Sequence, residues 1–271
     1  MYKKVAGLII SLAIGFVVIP AGAAGLGEGR WVADGVYRST NYRGLTGLFV
    51  TDSAYTIGRH NLSMSTGYLT ETLSGATINS VPVSITYGTS DDVEFALQGQ
   101  YISSSIAGSG SGDTQLAWKW RFRRQTEYMP AMAMAVTAIA PGAPGVSEVT
   151  KYGARVNLMA SSESQLTDTG YIGLYFDLEA DSYDQGTSSQ DNFYAGNFGI
   201  LIPLSDDNRL QAIAEANMVD KRAAPVDNYN AVTAGARYTG DVFQYSLAGQ
   251  TLNRKDGTTT DRLLFTLTAQ F

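Results

Sequence analysis

From about residue 60 to residue 271, apolar side chains return at every second position in segment after segment, and that period admits few folds. In DTQLAWKWRFR (residues 113–123), Leu116, Trp118, Trp120 and Phe122 fall on one face, and Gln115, Lys119, Arg121 and Arg123 on the other. The same alternation runs through Val81-Val83-Ile85-Tyr87, Ile172-Leu174-Phe176-Leu178, Val232-Ala234-Ala236-Tyr238 and the final RLLFTLTAQF. About twelve such segments can be marked, each near the length a tilted strand needs to cross a bilayer. No stretch keeps a helical i, i+3, i+4 pattern, and 29 Gly, 16 Tyr and 10 Phe against 7 Pro fit a β-rich chain.

The connections between segments alternate in kind. Short, turn-like links at 89–92, 205–208 and 240–241 exchange with longer Ser/Gly/Asp-rich stretches at 103–112, 140–149, 181–190 and 253–261. That is the expected layout of periplasmic turns and extracellular loops. The chain is therefore expected to be all-β: a transmembrane antiparallel up-and-down barrel of about twelve strands, with a C-terminal strand ending in Phe271. A secreted sandwich with Phe271 in its core would alternate too, but it has no reason to sort its aromatics by height. Here Tyr87, Phe95, Trp120, Phe122, Tyr238, Phe243, Tyr245 and Phe271 collect at expected periplasmic ends, as a girdle at a lipid interface would. Tyr68, Tyr101, Tyr152 and Tyr194 collect at the other ends.

The N-terminus carries Lys3 and Lys4, an apolar run from Val5 to Ile19, then Ala21-Gly22-Ala23, the arrangement of a secretory signal peptide over 1–24. A retained anchor is the alternative, but the run is short for a spanning helix. Without residues 1–24 the chain holds 17 basic and 25 acidic residues, a net −8, which argues against nucleic acid as a partner. The absence of Cys excludes a disulfide scaffold and thiol chemistry. Residues 25–59 fit no spanning strand; they are expected either to enter the lower lumen or cap its mouth, or to form a periplasmic lead-in. Residues 60–271 make the barrel.

At 112–142, GDTQLAWKWRFRR followed by PAMAMAVTAIAPG resembles barrels grouped with the meta-pathway phenol-degradation protein. Gly112, Asp113, Lys119, Trp120, Arg121, Phe122, Pro130 and Ala131 carry the match. The terminal Phe is similar to that of bacterial outer-membrane barrels in general, whose last strand is read by the assembly machinery. The resemblance implies an outer-membrane location, contact with lipid and lipopolysaccharide, and transport of small solutes, aromatic or apolar ones among them.

No cofactor or metal is implied, since no His/Cys/Asp/Glu cluster has ligand spacing. The single histidine, His60, falls on the outward parity beside no serine, so no nucleophile–base pair points to an enzyme. Asp91-Asp92 and Asp206-Asp207 read as turn residues. The informative set faces inward: Lys119, Arg121, Arg123, Arg155 and Arg237 against Asp177, Glu179 and Glu215. Pairing strands about 162–168 sets Arg155 near Asp177 and Lys151 near Glu179. Charges in a lumen need water or partners. They either line an open or gated pore, with small inward residues such as Gly153, Gly173 and Gly199, or plug a sealed structural or adhesive barrel.

Overall fold

The computed structural model describes residues 39–73, 76–106, 108–144, 151–165, 170–184, 190–221 and 228–271. The expected signal peptide lies outside these residues.

Thirteen strands form one antiparallel sheet: β1 (Leu62–Leu73), β2 (Ala76–Ser90), β3 (Val93–Ser104), β4 (Gly108–Ser111), β5 (Thr114–Arg123), β6 (Ala131–Ala140), β7 (Gly153–Gln165), β8 (Tyr171–Asp184), β9 (Gln190–Pro203), β10 (Leu210–Lys221), β11 (Tyr229–Thr239), β12 (Phe243–Arg254) and β13 (Thr259–Gln270). Each long strand pairs with its sequence neighbours, and β1 pairs with both β2 and β13, so the sheet closes. Twelve strands make the wall. The four-residue β4 only extends the hairpin at the end of β3. The seam is complete to the last residue: Leu62 N donates to Phe271 O at 2.9 Å, and Phe271 N to Leu62 O at 2.8 Å. Closure leaves no unpaired edge, the condition for a sheet in hydrocarbon.

The alternation read from the sequence holds along every wall strand. Val83, Leu97, Leu116 and Leu247 are each about half exposed on the outside, while Thr86, Glu94, Lys119 and Asp177 between them are fully buried inside. The outer aromatics of the expected girdle are all exposed and cluster near the rim where β1 begins and β13 ends, here the terminal rim. Trp120 and Phe122 meet edge to face there, 5.8 Å between ring centres.

Three expected long loops are in part paired strand. Residues 103–112 hold the end of β3 and β4, β8 runs to Asp184 before β9 starts at Gln190, and only residues 255–258 separate β12 from β13. Their Ser, Thr and Gly content had masked continuing ladders, because two-faced polar strands beyond the lipid need no apolar alternation. Of 140–149, residues 145–150 lie outside the described set.

The passage from lumen to wall is made by glycine. Gly58 has φ +87°, and a β-carbon on Gly88 would sit 1.8 Å from the Gly58 carbonyl oxygen, so neither place takes a side chain without a shift. His60 follows at φ 63° on the terminal rim, exposed, its Nδ1 3.3 Å from the Tyr87 hydroxyl.

Candidate functional site

Residues 39–59 belong to no strand, and 39–57 lie inside the barrel. Leu45, Leu48, Phe49 and Ala54 are at most 4 % exposed, packed against wall residues that include Ala131, Ala133, Ala135 and Leu201. The run of inward alanines on β6 supplies the room. A chain folded this way cannot satisfy its own backbone as a strand does, and buried N–H and C=O groups need partners. A few come from within: Tyr42 N to Phe49 O at 3.0 Å, Leu48 N to Thr51 O at 2.9 Å, and Ser53 N to Thr46 O at 2.9 Å.

The wall supplies others, from acidic and hydroxyl acceptors and from basic and hydroxyl donors. Its acceptors take the segment's N–H groups: Glu215 receives Val50 N (3.0 Å) and Thr51 N (2.8 Å), Asp177 receives Asp52 N (2.8 Å), Ser161 receives Ala54 N (2.8 Å), and Glu94 receives Thr46 N (3.1 Å) and Ile57 N (3.0 Å). Wall donors take its carbonyls: Arg237 reaches Gly47 O (3.2 Å) and Leu48 O (3.3 Å), and Thr86 reaches Gly44 O (2.5 Å). Lys119 donates to the Thr46 hydroxyl and pairs with Glu94 at 3.0 Å, both side chains fully buried. Asn157 completes the grip by donating to Asp52 Oδ2 at 2.7 Å.

Several of the inward residues expected from parity are thus brought together on this segment. Lys119, Asp177, Glu215 and Arg237 all hold it. Arg121 instead binds Asp92 Oδ1 (2.8 Å) and the Asp91 carbonyl (2.8 Å) at the terminal rim. Arg123 is partly exposed at the end of β5, past an irregularity in the β5–β6 register between Arg121 and Arg123.

The expected cross-strand pairs are corrected. Arg155 lies opposite Asp181, not Asp177, and bonds to it at 2.8 Å, with Glu179 at 3.1 Å. The β7–β8 ladder runs on to Gln165 and Tyr171, which moves the turn and shifts the partner by four residues. Lys151 is exposed beyond β7, and Glu179 is taken by Arg43 and Arg155. Two of the inward glycines face filled space. Beside Gly199 stands Leu48, and beside Gly173 the ring of Tyr175.

Several functional residues were missed. Glu94, Asp181, Glu71 and Arg262 sit on inward positions of alternating strands, so parity alone would have found them. Arg43 and Asp52 could not be found that way, because residues 39–59 have no period. Among the described residues no group of three or more His, Cys, Asp or Glu side chains is placed to hold a metal.

Toward the far rim the lumen widens into a chamber of about 520 Å³ whose floor is made by Tyr42, Arg43 and Val50 of the inserted segment. Arg43 and Arg155 border it, backed by the buried carboxylates of Glu179 and Asp181. So does Glu71 on β1, which accepts from Arg254 (3.2 Å) on β12 and Arg262 (2.8 Å) on β13. Below the segment lies a crevice of about 20 Å³, bordered by Glu163, Tyr171 and Arg237.

No protein-family profile and no curated protein matches the chain. Solved structures do. A crystallised outer-membrane channel from Pseudomonas putida F1 is 14 % identical, with 80 % of this chain and 98 % of that one covered and a TM-score of 0.59. The NanC porin is 10 % identical over 77 % of this chain and 98 % of its own, with a TM-score of 0.54. At such identities the likeness concerns the fold, and the chain has the closed antiparallel barrel of these outer-membrane proteins.

Proposed function

We propose that this protein is an outer-membrane channel for small solutes, with the terminal rim toward the periplasm and residues 39–59 as its internal gate. The observation that carries the reading is a hollow outer half ending on a segment that is not part of the wall. The ladder would have to break for a wall strand to leave. The inserted segment is held by side-chain contacts, which can be exchanged for water. The outer face meets lipid and lipopolysaccharide, and the terminal strand serves assembly. The motif at 112–142 supports a kinship with the phenol-degradation barrels and a range of solutes that includes apolar ones.

A sealed structural barrel is the second reading, favoured by the full burial of Phe49 and Ala54 against the wall. Planar-bilayer conductance separates the two. Purified protein is expected to conduct rarely, and a variant lacking 39–57 to conduct continuously. Glu215→Gln keeps one acceptor for two N–H donors. Charge-assisted bonds contribute about 1.5–3 kcal/mol, so its closed-to-open ratio should fall roughly 10- to 100-fold. Silence from a folded deletion variant would leave the structural reading standing.

A further inference from the structure

The amide side chains around the chamber differ in where their N–H groups go. On one side they are spent on the wall. Gln250 Nε2 donates to Thr233 (2.8 Å) and Asn217 (3.4 Å), Asn217 Nδ2 to Asn197 (3.0 Å), and Asn197 Nδ2 to Asp177 (2.7 Å). These three amides are at most 4 % exposed.

On β3 and β5 only the amide oxygens are taken. Gln100 Oε1 accepts from the Ser80 hydroxyl at 3.1 Å, and Gln115 Oε1 accepts from Arg155 Nη1 at 3.2 Å. An arginine can only donate, so its contact fixes which end of the Gln115 amide is oxygen, and it polarises the NH2 at the other end into a better donor. Both side chains are partly exposed and line the chamber, and among the described residues neither Nε2 has an acceptor. Gln98 lies opposite Gln115 in the β3–β5 ladder, so Gln100, the next inward position on β3, is the diagonal neighbour of Gln115. Gly112 leaves room beside it, since a β-carbon there would stand 2.8 Å from Gln100 Nε2.

Apolar surface adjoins the pair. Ile102 is the inward position after Gln100, and Ile78 on β2 lines the same chamber. The volume of about 520 Å³ lies within the usual range of small-molecule sites, about 300–1,000 Å³. Two neutral donors beside isoleucines suit an oxygen acceptor that carries no charge. A buried carboxylate needs a cation to offset its desolvation. Arg155, the cation that touches Gln115, is already bonded to Asp181 (2.8 Å) and Glu179 (3.1 Å).

We propose that the chamber binds an uncharged solute with a carbonyl oxygen on a compact apolar body, a ketone, ester or lactone. Its oxygen accepts from Gln100 Nε2 and Gln115 Nε2, and its body lies against Ile78 and Ile102. The proposal rests on the channel reading and names its solute class.

The test uses the full barrel in detergent, titrated calorimetrically against matched empty micelles with three probes of one shape. Cyclohexanone only accepts, cyclohexylammonium only donates, and cyclohexanecarboxylate is the anion. Cyclohexanone is expected to bind more tightly than either of the others. Gln100→Leu should weaken it roughly 3- to 10-fold, the range of one net hydrogen bond. Gln115→Glu keeps the oxygen that Arg155 holds and replaces the donor by an acceptor. It should weaken cyclohexanone and strengthen cyclohexylammonium, an inversion that a general loosening of the barrel would not produce. Heat-modifiable gel mobility reports that each variant is folded. Equal or tighter binding of the ammonium or the carboxylate by the unaltered barrel, or an unchanged ketone affinity in either folded variant, would overturn the assignment. Bilayer conductance is read separately: ketone binding without any flux sinks the channel reading alone, and flux without preference for the ketone sinks the chamber assignment alone.

Discussion

A β-carbon on Gly199 would lie 2.4 Å from Cδ1 of Leu48, so the inner surface of β9 is notched where the inserted segment seats. The contact is with the end of a flexible side chain. Gly199→Ala should therefore be absorbed by a small rotation of Leu48. Gly199→Leu fills the notch and should displace the segment, raising open probability in bilayers well above that of the alanine variant. Equal conductance of the two variants, both folded, would mean that Leu48 does not seat the gate.

Lys119 and Glu94 face each other across β5 and β3 at 3.0 Å, fully buried and also bonded to Thr46. Breaking such a pair strands a charge, at about 3–5 kcal/mol, whereas removing both ends leaves little to solvate. Lys119→Met and Glu94→Gln should each lower the urea midpoint of the barrel in micelles. The double variant should recover most of the loss. Simple addition of the two single effects would argue against coupling through this pair.

The two faces of β12 should respond oppositely to the same substitution. Leu247 points outward, and arginine near mid-height of a lipid face costs roughly 2–4 kcal/mol. Gln250 borders the chamber, where water can solvate an added cation. Leu247→Arg is expected to reduce folding into vesicles markedly, and Gln250→Arg to leave it nearly unchanged. Equal damage at both positions would reject the assigned faces.

Asp92 lies on the two-residue turn between β2 and β3, outside the spanning strands. Partial burial pushes its carboxyl up, but hydrogen bonds from Arg124 (2.9 Å) and Arg121 (2.8 Å) outweigh this and hold it below its ordinary value. A depressed acid stabilises the fold at pH values above its unfolded pKa, about 3.9, and loses that contribution as pH falls through its lower folded value. Wild type should exceed Asp92→Asn slightly in unfolding midpoint at pH 7, with the gap closing below about pH 4. A gap that persists in acid would assign the effect to something other than this ionisation.

Strand identity, inward and outward parity, and the aromatic bands were legible before any coordinates. The reason is that Leu116, Trp118, Trp120 and Phe122 face outward from a closed barrel, and an apolar exterior around a polar interior enforces a strict period of two. Past the lipid that constraint lapses, so the upper ends of β8, β9, β12 and β13 read as loops although their ladders continue.

Register was not legible. A slide of the β7–β8 turn by two residues keeps every side chain on its face yet changes Arg155's partner from Asp177 to Asp181. Local patterning cannot distinguish those alternatives, because both preserve the apolar exterior. The fate of residues 39–59 was likewise open: Leu48, Phe49 and Asp52 follow no period, and their partners, such as Glu215 and Asp177, are more than a hundred residues away. The amino-acid order alone pointed to strands with one apolar and one polar face and to a closed barrel as the fold that accommodates them, since unpaired backbone and exposed apolar faces are both costly. Which charges meet, what fills the lower lumen and where a chamber remains were settled only by three-dimensional packing, since each depends on groups brought together around the closed sheet.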